Sequence, residues 1–277
     1  MFRLPVSIPT LLSLTLSTLF CISCSKAPVT GRKQYNIVPD SIMLPLGKSA
    51  YQDILADVRV EKGTEDHDTL KRVGKRVSSA ANQADYKWRY SLIKDDSINA
   101  WCLPGGKIGF YQGILPVLRN EAGMAFVMGH EVGHATANHG AERLSQKLTL
   151  LGGLAALSIY VDGQDKLSDE QRGLLIAALG AGATVGYILP FSRKHEKEAD
   201  VIGLMYMAKA GYPPGESIKV WDRMARQTGG SSMPTFLSTH PSHTQRQANL
   251  REWMPKARKR YQRNKLSRDT QEVLWRR

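Results

Sequence analysis

Cysteine is nearly absent: the 277 residues hold three, Cys21, Cys24 and Cys102. Two of these sit in an apolar N-terminal segment that reads as removed or modified, which leaves Cys102 as the one free thiol. That count excludes an internal disulfide and a cysteine-ligated metal site. Acid is also scarce, with 25 Asp and Glu against 38 Lys and Arg, for a net charge of +13. Part of the excess lies in a basic C-terminal tail, 256–277, "KARKRYQRNKLSRDTQEVLWRR". It reads as a solvated, partly helical tail. No aromatic-and-basic motif of a nucleic-acid module accompanies it, so nucleic acid is not expected as a partner. Internal repeats are lacking as well. At 42% hydrophobic the chain is ordinary globular protein with room for one large or two small domains.

Long runs of bulky apolar residues are few. "MFRLPVSIPTLLSLTLSTLFCISC" has one early cation, Arg3, and then an uncharged apolar stretch broken by Pro5 and Pro9. That is the layout of a signal peptide over 1–23, too short for a membrane span. "CISC" resembles a lipobox, with Ser23 before Cys24, although Cys21 stands where leucine is usual. The expectation is lipid on Cys24 and attachment of the protein to a membrane through it. Residues 24–42 then read as a lipid-anchored tether. Two further apolar stretches, 148–161 and 173–191, are rich in Gly and Ala and read as helices packed on the body or touching a membrane surface.

Between these landmarks the pattern alternates sparingly. Apolar residues fall at helical spacing from 43 to 85, giving two helices. "YKWRYSLIKDD" (86–96) reads as a strand, and "NAWCLPGGKIGFYQGIL" (99–115) as two extended pieces about a Pro-Gly-Gly turn. Residues 120–147 read as one long helix. A further helix runs from 193 to 211 and stops at "GYPP"; "STHPSHTQRQANL" (238–250) starts as a loop and becomes a helix.

The chemistry sits in two of these helices. In "GHEVGHATANH" (129–139), His130 and His134 are four apart. Four residues turn about 400°, so their rings project about 40° apart, one turn above the other. Glu131, about 100° round, lies beside an ion held by the pair and is placed to take a proton from its water. The expected ion is zinc. His139 comes one residue too early for the third ligand of a metzincin. On a continuing helix it lies about 140° from His134, packed or hydrogen-bonded on the far side. The third ligand is then sought in "SRKHEKEADVIG" (192–203). Glu196 and Asp200 share a face, Glu196 as the longer, natural ligand and Asp200 as the acid that orients a ligand histidine. Glu198, about 200° from Glu196, points away with Lys194 and Lys197 on a solvated face. Three protein ligands leave a position for water, the mark of a catalytic site.

Taken together, "APVTGRKQ", "NAWCLPGGKIGFYQGIL", "GHEVGHATANH", "LPFSRKHEKEADVIGLMYMAKAGY" and "STHPSHTQR" resemble the HtpX and CAAX-prenyl-protease type of gluzincin peptidase, in particular its BepA- and LoiP-like periplasmic lipoprotein branch. The resemblance covers about 27–250, without the tetratricopeptide repeats that some members add. It implies an α+β, mainly α-helical fold with a small antiparallel sheet whose edge strand flanks the HExxH helix, and a metallopeptidase domain over 43–255. It implies one zinc on His130, His134 and Glu196, Glu131 as general base and Asp200 behind a ligand histidine. His240 would hold the oxyanion or cap the zinc in a resting state, and Arg246 would pair with acids such as Asp200. The stretch Gly105, Gly106, Lys107, Ile108, Gly109 would be the edge strand on which an extended, unfolded polypeptide lies. The expected function is a zinc endopeptidase acting on misfolded or stalled proteins of the bacterial envelope. Its alternative is a chaperone-like outer-membrane assembly factor with weak or latent proteolysis. The expected location is the outer membrane, facing the periplasm.

Overall fold

The structure, a computed structural model, describes residues 25–150, 192–227, 235–240 and 244–265. The signal segment, Cys24, nearly all of the two apolar stretches and the end of the basic tail lie outside the described residues. The described elements are α1 (Asp40–Ala56), β1 (Val60–Glu61), α2 (Glu65–Ala81), β2 (Arg89–Ile93), β3 (Ala100–Leu103), β4 (Lys107–Tyr111), α3 (Leu115–Leu118), α4 (Glu121–Thr136), α5 (His139–Leu150), α6 (Arg193–Lys209), α7 (Glu216–Arg226), α8 (Thr235–Thr239) and α9 (Thr244–Asn264). The fold is α+β and mainly helical, as the resemblance implies.

Helix α2 shows how local chemistry sets an element. The Thr64 hydroxyl accepts the His67 N–H, three acids fill the first turn, and Asn82 closes the helix at φ 54°. Its apolar stripe Leu70, Val73, Val77 is fully buried. Helix α4 differs: Asn120 caps it by accepting the Gly123 N–H at 2.8 Å, and every one of its residues is buried. It is the central helix, packed against α2, α6, α7 and β3. The main core gathers round it, with a smaller cluster between α1, β3 and α5.

The sheet corrects one expectation. Its order is β1-β2-β4-β3, and β2 pairs with β4 in parallel, so it is mixed rather than antiparallel. The strand carrying Lys107, Ile108 and Gly109 is not an edge. It runs between β2 and β3, pairing Tyr90 with Ile108 on one side and Cys102 with Ile108 on the other. Gly105 and Gly106 form the turn before it, at φ 77° and 78°. A Cβ on Gly106 would meet the Trp88 ring at 2.6 Å, and one on Gly109 the Trp101 ring at 2.4 Å. These glycines serve turn and packing. The edge beside α4 is β3.

Two further expectations change. The 120–147 helix breaks after Thr136, where Asn138 takes φ 48°, a left-handed conformation that Asn tolerates better than most residues. The stretch read as a tether is laid on the body from Ser25 onward. A tight turn links Lys26 to Lys33, and Ala27, Gln34 and Val38 are buried. At the other end, the basic tail begins as the last turns of α9, which passes through Pro255 to Asn264. Among the described residues, no helix is long and apolar enough to cross a membrane.

Candidate metal centre

Two glycines decide how near α4 and α6 come. A Cβ on Gly129 would stand 2.7 Å from the Gly203 carbonyl oxygen, and one on Gly203 would stand 2.6 Å from the His130 nitrogen. Only glycine permits backbones to meet so closely. The approach lays the first turns of α6 across His130 and His134. Ser192 caps α6, accepting the His195 N–H at 3.2 Å, and sets Glu196 in the first turn.

The side chains of His130, His134, Glu196 and His240 converge, all buried, with one ligand atom from each within 4.8 Å of the others. His130 Nε2 is 3.1 Å from His134 Nε2 and 3.3 Å from His240 Nδ1. Glu196 Oε1 lies 3.3 Å from His134 Nε2 and 3.0 Å from His240 Nδ1. Behind them, Asp200 Oδ1 is 3.0 Å from His130 Nδ1. An ionised carboxylate only accepts, so His130 carries a proton on Nδ1 and turns Nε2 to the centre. Arg246 grips Asp200 through Nε at 2.6 Å and Nη2 at 2.7 Å, and Glu196 through Nη1 at 2.8 Å. The Trp221 ring supports the guanidinium from 3.9 Å. Phe236 stacks on His240, and its N–H donates to Ile98 O at 2.9 Å, tying α8 to the approach to β3. Glu131 lies at the side, Oε1 3.5 Å from His240 Nε2.

Electrostatics fit a cation. Burial opposes the charge on Glu196, but His240, Arg246 and His134 outweigh it and hold the carboxyl well below its usual range. Asp200 is likewise held low, by Arg246 and His130 against burial. Burial keeps His134 neutral, the form that ligates metal, and raises Glu131 toward the proton affinity of a useful base. His240 is burdened by burial, yet Glu196 and Glu131 push it up. Three buried carboxyls thus gather round the Arg246 guanidinium, with the buried Arg143 also in the field of Glu196. Glu131 Oε1 is buried and has no hydrogen-bond partner. Two imidazoles with a carboxylate in this acidic, buried setting are a donor set that suits zinc.

An outer layer of the site departs from the sequence expectation. The break at Asn138 swings His139 back, so that its Nδ1 lies 3.0 Å from His134 Nδ1. Its Nε2 lies 3.0 Å from Glu198 Oε2. His139 is therefore next to the centre, not on the far side. Glu198 is buried rather than solvated. Burial works against its charge, but His139, Thr30 and Arg32 hold its pKa at about 2. His139 itself is lowered to about 4, by burial above all. His195 stacks on His139 and bonds Glu142 at 3.0 Å. Lys194 is exposed, as expected. The signal for His139 was local: "ANHG" ends a helix with an Asn that accepts a left-handed turn. Arg32 stands in "APVTGRKQ", one of the stretches that carry the resemblance, but the sequence attaches no role to it.

Of the residues singled out by sequence, then, His130, Glu131, His134, Glu196, Asp200, His240 and Arg246 meet in one buried site. Gly105 to Gly109 lie in the turn and central strand of the sheet, and Cys24 lies outside the described residues.

Comparison with known proteins bears on this site. Residues 64–254 match peptidase family M48. The mitochondrial metalloendopeptidase OMA1 of Schizosaccharomyces pombe is 34% identical over 237 residues, 83% of this chain and 66% of that protein. That of Saccharomyces cerevisiae is 33% identical over 262 residues, 87% of this chain and 72% of that protein. The beta-barrel assembly-enhancing protease of Escherichia coli is 28% identical over 188 residues, 66% of this chain and 37% of that protein. The chain thus spans from about a third to nearly three quarters of these relatives. They correct the expected location: mitochondrial proteins are more similar to this chain than the bacterial protease, so the placement in a bacterial outer membrane is withdrawn. With HExxH on a buried helix, a carboxylate delivered by α6, and a family match across most of the described body, the chain belongs to peptidase family M48 and is a metallopeptidase.

Proposed function

We propose that the protein is a zinc-dependent endopeptidase that cleaves unfolded or extended polypeptide. The observation that carries this reading is the buried convergence of His130, His134 and Glu196, with Glu131 beside them and its Oε1 without a hydrogen-bond partner. These three residues would hold the zinc, which would polarise a scissile carbonyl and acidify a water. Glu131 would take the water's proton and deliver it to the leaving amine. Asp200 keeps the His130 proton on Nδ1, and Arg246 keeps Asp200 in place. The substrate strand would pair with the edge strand β3, which lies beside α4, rather than with β4. Backbone pairing there favours extended segments with little regard to side chain.

Glu131→Gln tests the assignment. Zinc should remain bound at one per chain while cleavage of a denatured protein falls by at least about 10²-fold, the usual share of a general base. Residual cleavage near the wild-type rate would refute it.

One observation favours a second reading, a latent form of the same enzyme that binds unfolded chains and cuts weakly. His240 Nδ1 sits among the ligand atoms, 3.0 Å from Glu196 Oε1, where a fourth ligand would close the site. On that reading His240→Ala raises the initial rate of casein cleavage. A fall instead assigns His240 to the oxyanion.

A further inference from the structure

The site is built in layers, and the outermost layer is the start of the described chain. Residues 25–37 turn back on themselves, with Ala27 N–H donating to Arg32 O at 2.8 Å and Gln34 N–H to Ser25 O at 3.0 Å. The turn lies across the gap between α5 and α6. Gln34 Nε2 donates to Ala137 O, at the very break that swings His139 inward. Ile37 N–H donates to Ser145 Oγ at 3.0 Å. Arg32 lies between two acids. Its Nε donates to Glu198 Oε2 at 2.6 Å, and its two terminal nitrogens take Glu142 as a bidentate pair at 2.8 and 2.7 Å. Thr30 Oγ1 donates to the other oxygen of Glu198.

Proton positions follow from this chain by elimination. The oxygen of Glu198 that takes Arg32 also faces His139 Nε2, at 3.0 Å. A carboxylate held by Arg only accepts, so His139 donates from Nε2. A neutral imidazole has one ring proton, so His139 Nδ1 is bare. The 3.0 Å contact to His134 Nδ1 must then carry a proton belonging to His134. That leaves His134 Nε2 bare and aimed at the centre, as Asp200 does for His130. The two ligand histidines are therefore oriented by two different devices. Asp200 with Arg246 serves one directly. Glu198 with Arg32 serves the other through an intervening imidazole.

We propose that Arg32, on the N-terminal segment, is a positioning residue of the metal centre: through Glu198 and His139 it fixes the ring and tautomer of His134. This rests on the reading of His130, His134 and Glu196 as metal ligands. The segment 25–37 is then a component of the site, and its attachment to the body and the metal affinity are coupled.

The test is zinc affinity of the full-length chain, by competition with a chelator, with visible spectra of the cobalt(II)-substituted protein as a geometric readout. Thermal unfolding of the metal-free protein monitors the fold. Removing the outer partner of a metal-bound histidine weakens affinity by about 10- to 100-fold. His139→Leu should fall in that range. Arg32→Gln, one link further out, should fall toward its lower end, near 10-fold, and Arg32→Lys should fall less than Arg32→Gln. Both outer variants should shift the cobalt spectrum. In the His139→Leu background, Arg32→Gln should cost no further affinity, because its route to the metal is already cut. Equal losses from Arg32→Gln in both backgrounds would overturn the proposal. So would a lower unfolding temperature with unchanged zinc affinity, which is the signature of a purely structural ion pair. Failure of the wild type itself to bind zinc would instead sink the peptidase reading on which this one stands.

Discussion

Replacing Gly203 by Ala should destabilise the protein and weaken its hold on metal, although alanine is the better helix former. In an exposed helix the exchange gains about 1 kcal/mol. Here the added methyl would stand 2.6 Å from the His130 nitrogen, 2.8 Å from Gly129 C and 2.9 Å from the His130 Cα. All three are backbone atoms of α4, so no side chain can rotate away. Ordinary contact begins at 3.4 Å, and α4 and α6 must part by about 0.8 Å. A gap of that order forfeits a quarter to a half of the dispersion energy across the interface. Overpacking of a core typically costs about 1–3 kcal/mol, and this case sits at the upper end. Less the helical gain, the net loss is about 2 kcal/mol. Urea denaturation of the metal-free protein reads that loss as a lower midpoint at constant slope. The same displacement carries Glu196 away from the histidine pair. Metal–ligand distances tolerate only about 0.2 Å, so zinc affinity should fall with it. A Gly203→Ala protein as stable as the wild type, or more so, with unchanged zinc affinity would refute the idea that this contact sets the separation of the two helices.

Other expectations follow from the same geometry. Glu196→Gln keeps the shape but removes the proposed anionic ligand, and metal analysis should find the protein largely zinc-free after dialysis at neutral pH. Trp221→Leu takes away the ring under Arg246; it should reduce zinc affinity several-fold by loosening Asp200, and unchanged affinity would mean the guanidinium needs no such support. The stability of the metal-free protein should fall as the pH drops from about 6.5 to 4. His139 has a folded pKa lowered to about 4, so the unfolded chain binds its proton first and stability is lost across that window. The loss from this one buried group is at most roughly 3 kcal/mol, and Glu198, held at about 2, extends it to lower pH. In His139→Leu the decline above pH 4.5 should be shallower.

What the sequence disclosed, it disclosed through periodicity and chemistry acting over short range. His130 and His134 share a helix face by arithmetic alone, and Glu196 with Asp200 repeats the argument on a second helix. That the two helices meet is encoded less openly, in Gly129 and Gly203. Each is an unremarkable glycine until the partner is known, because a close approach is a property of two segments at once. The sheet shows the same limit. "NAWCLPGGKIGFYQ" announces two strands and a turn, and both strands are there. Which of them is the edge depends on β2, whose parallel pairing with β4 leaves no mark in either sequence.

Glu196 and Glu198 carry that lesson to the site. The helical wheel places them on opposite sides of α6, which makes one a candidate ligand and the other a solvated acid. The angle was right, since they do face different partners. The side away from the metal, however, is not water. Helix α6 is buried nearly all round, with α4 and α9 packed on it and the N-terminal segment laid over its first turn. A carboxylate in such a place costs several kcal/mol unless charge and hydrogen bonds meet it. Glu198 is met by Arg32, Thr30 and His139, as Glu196 is met by Arg246, His134 and His240. A buried acid with no use for its charge would be replaced by an apolar residue at little cost or some gain. The charge on the far side of α6 is in turn linked to the centre, from Glu198 Oε2 through His139 to His134, each contact at 3.0 Å.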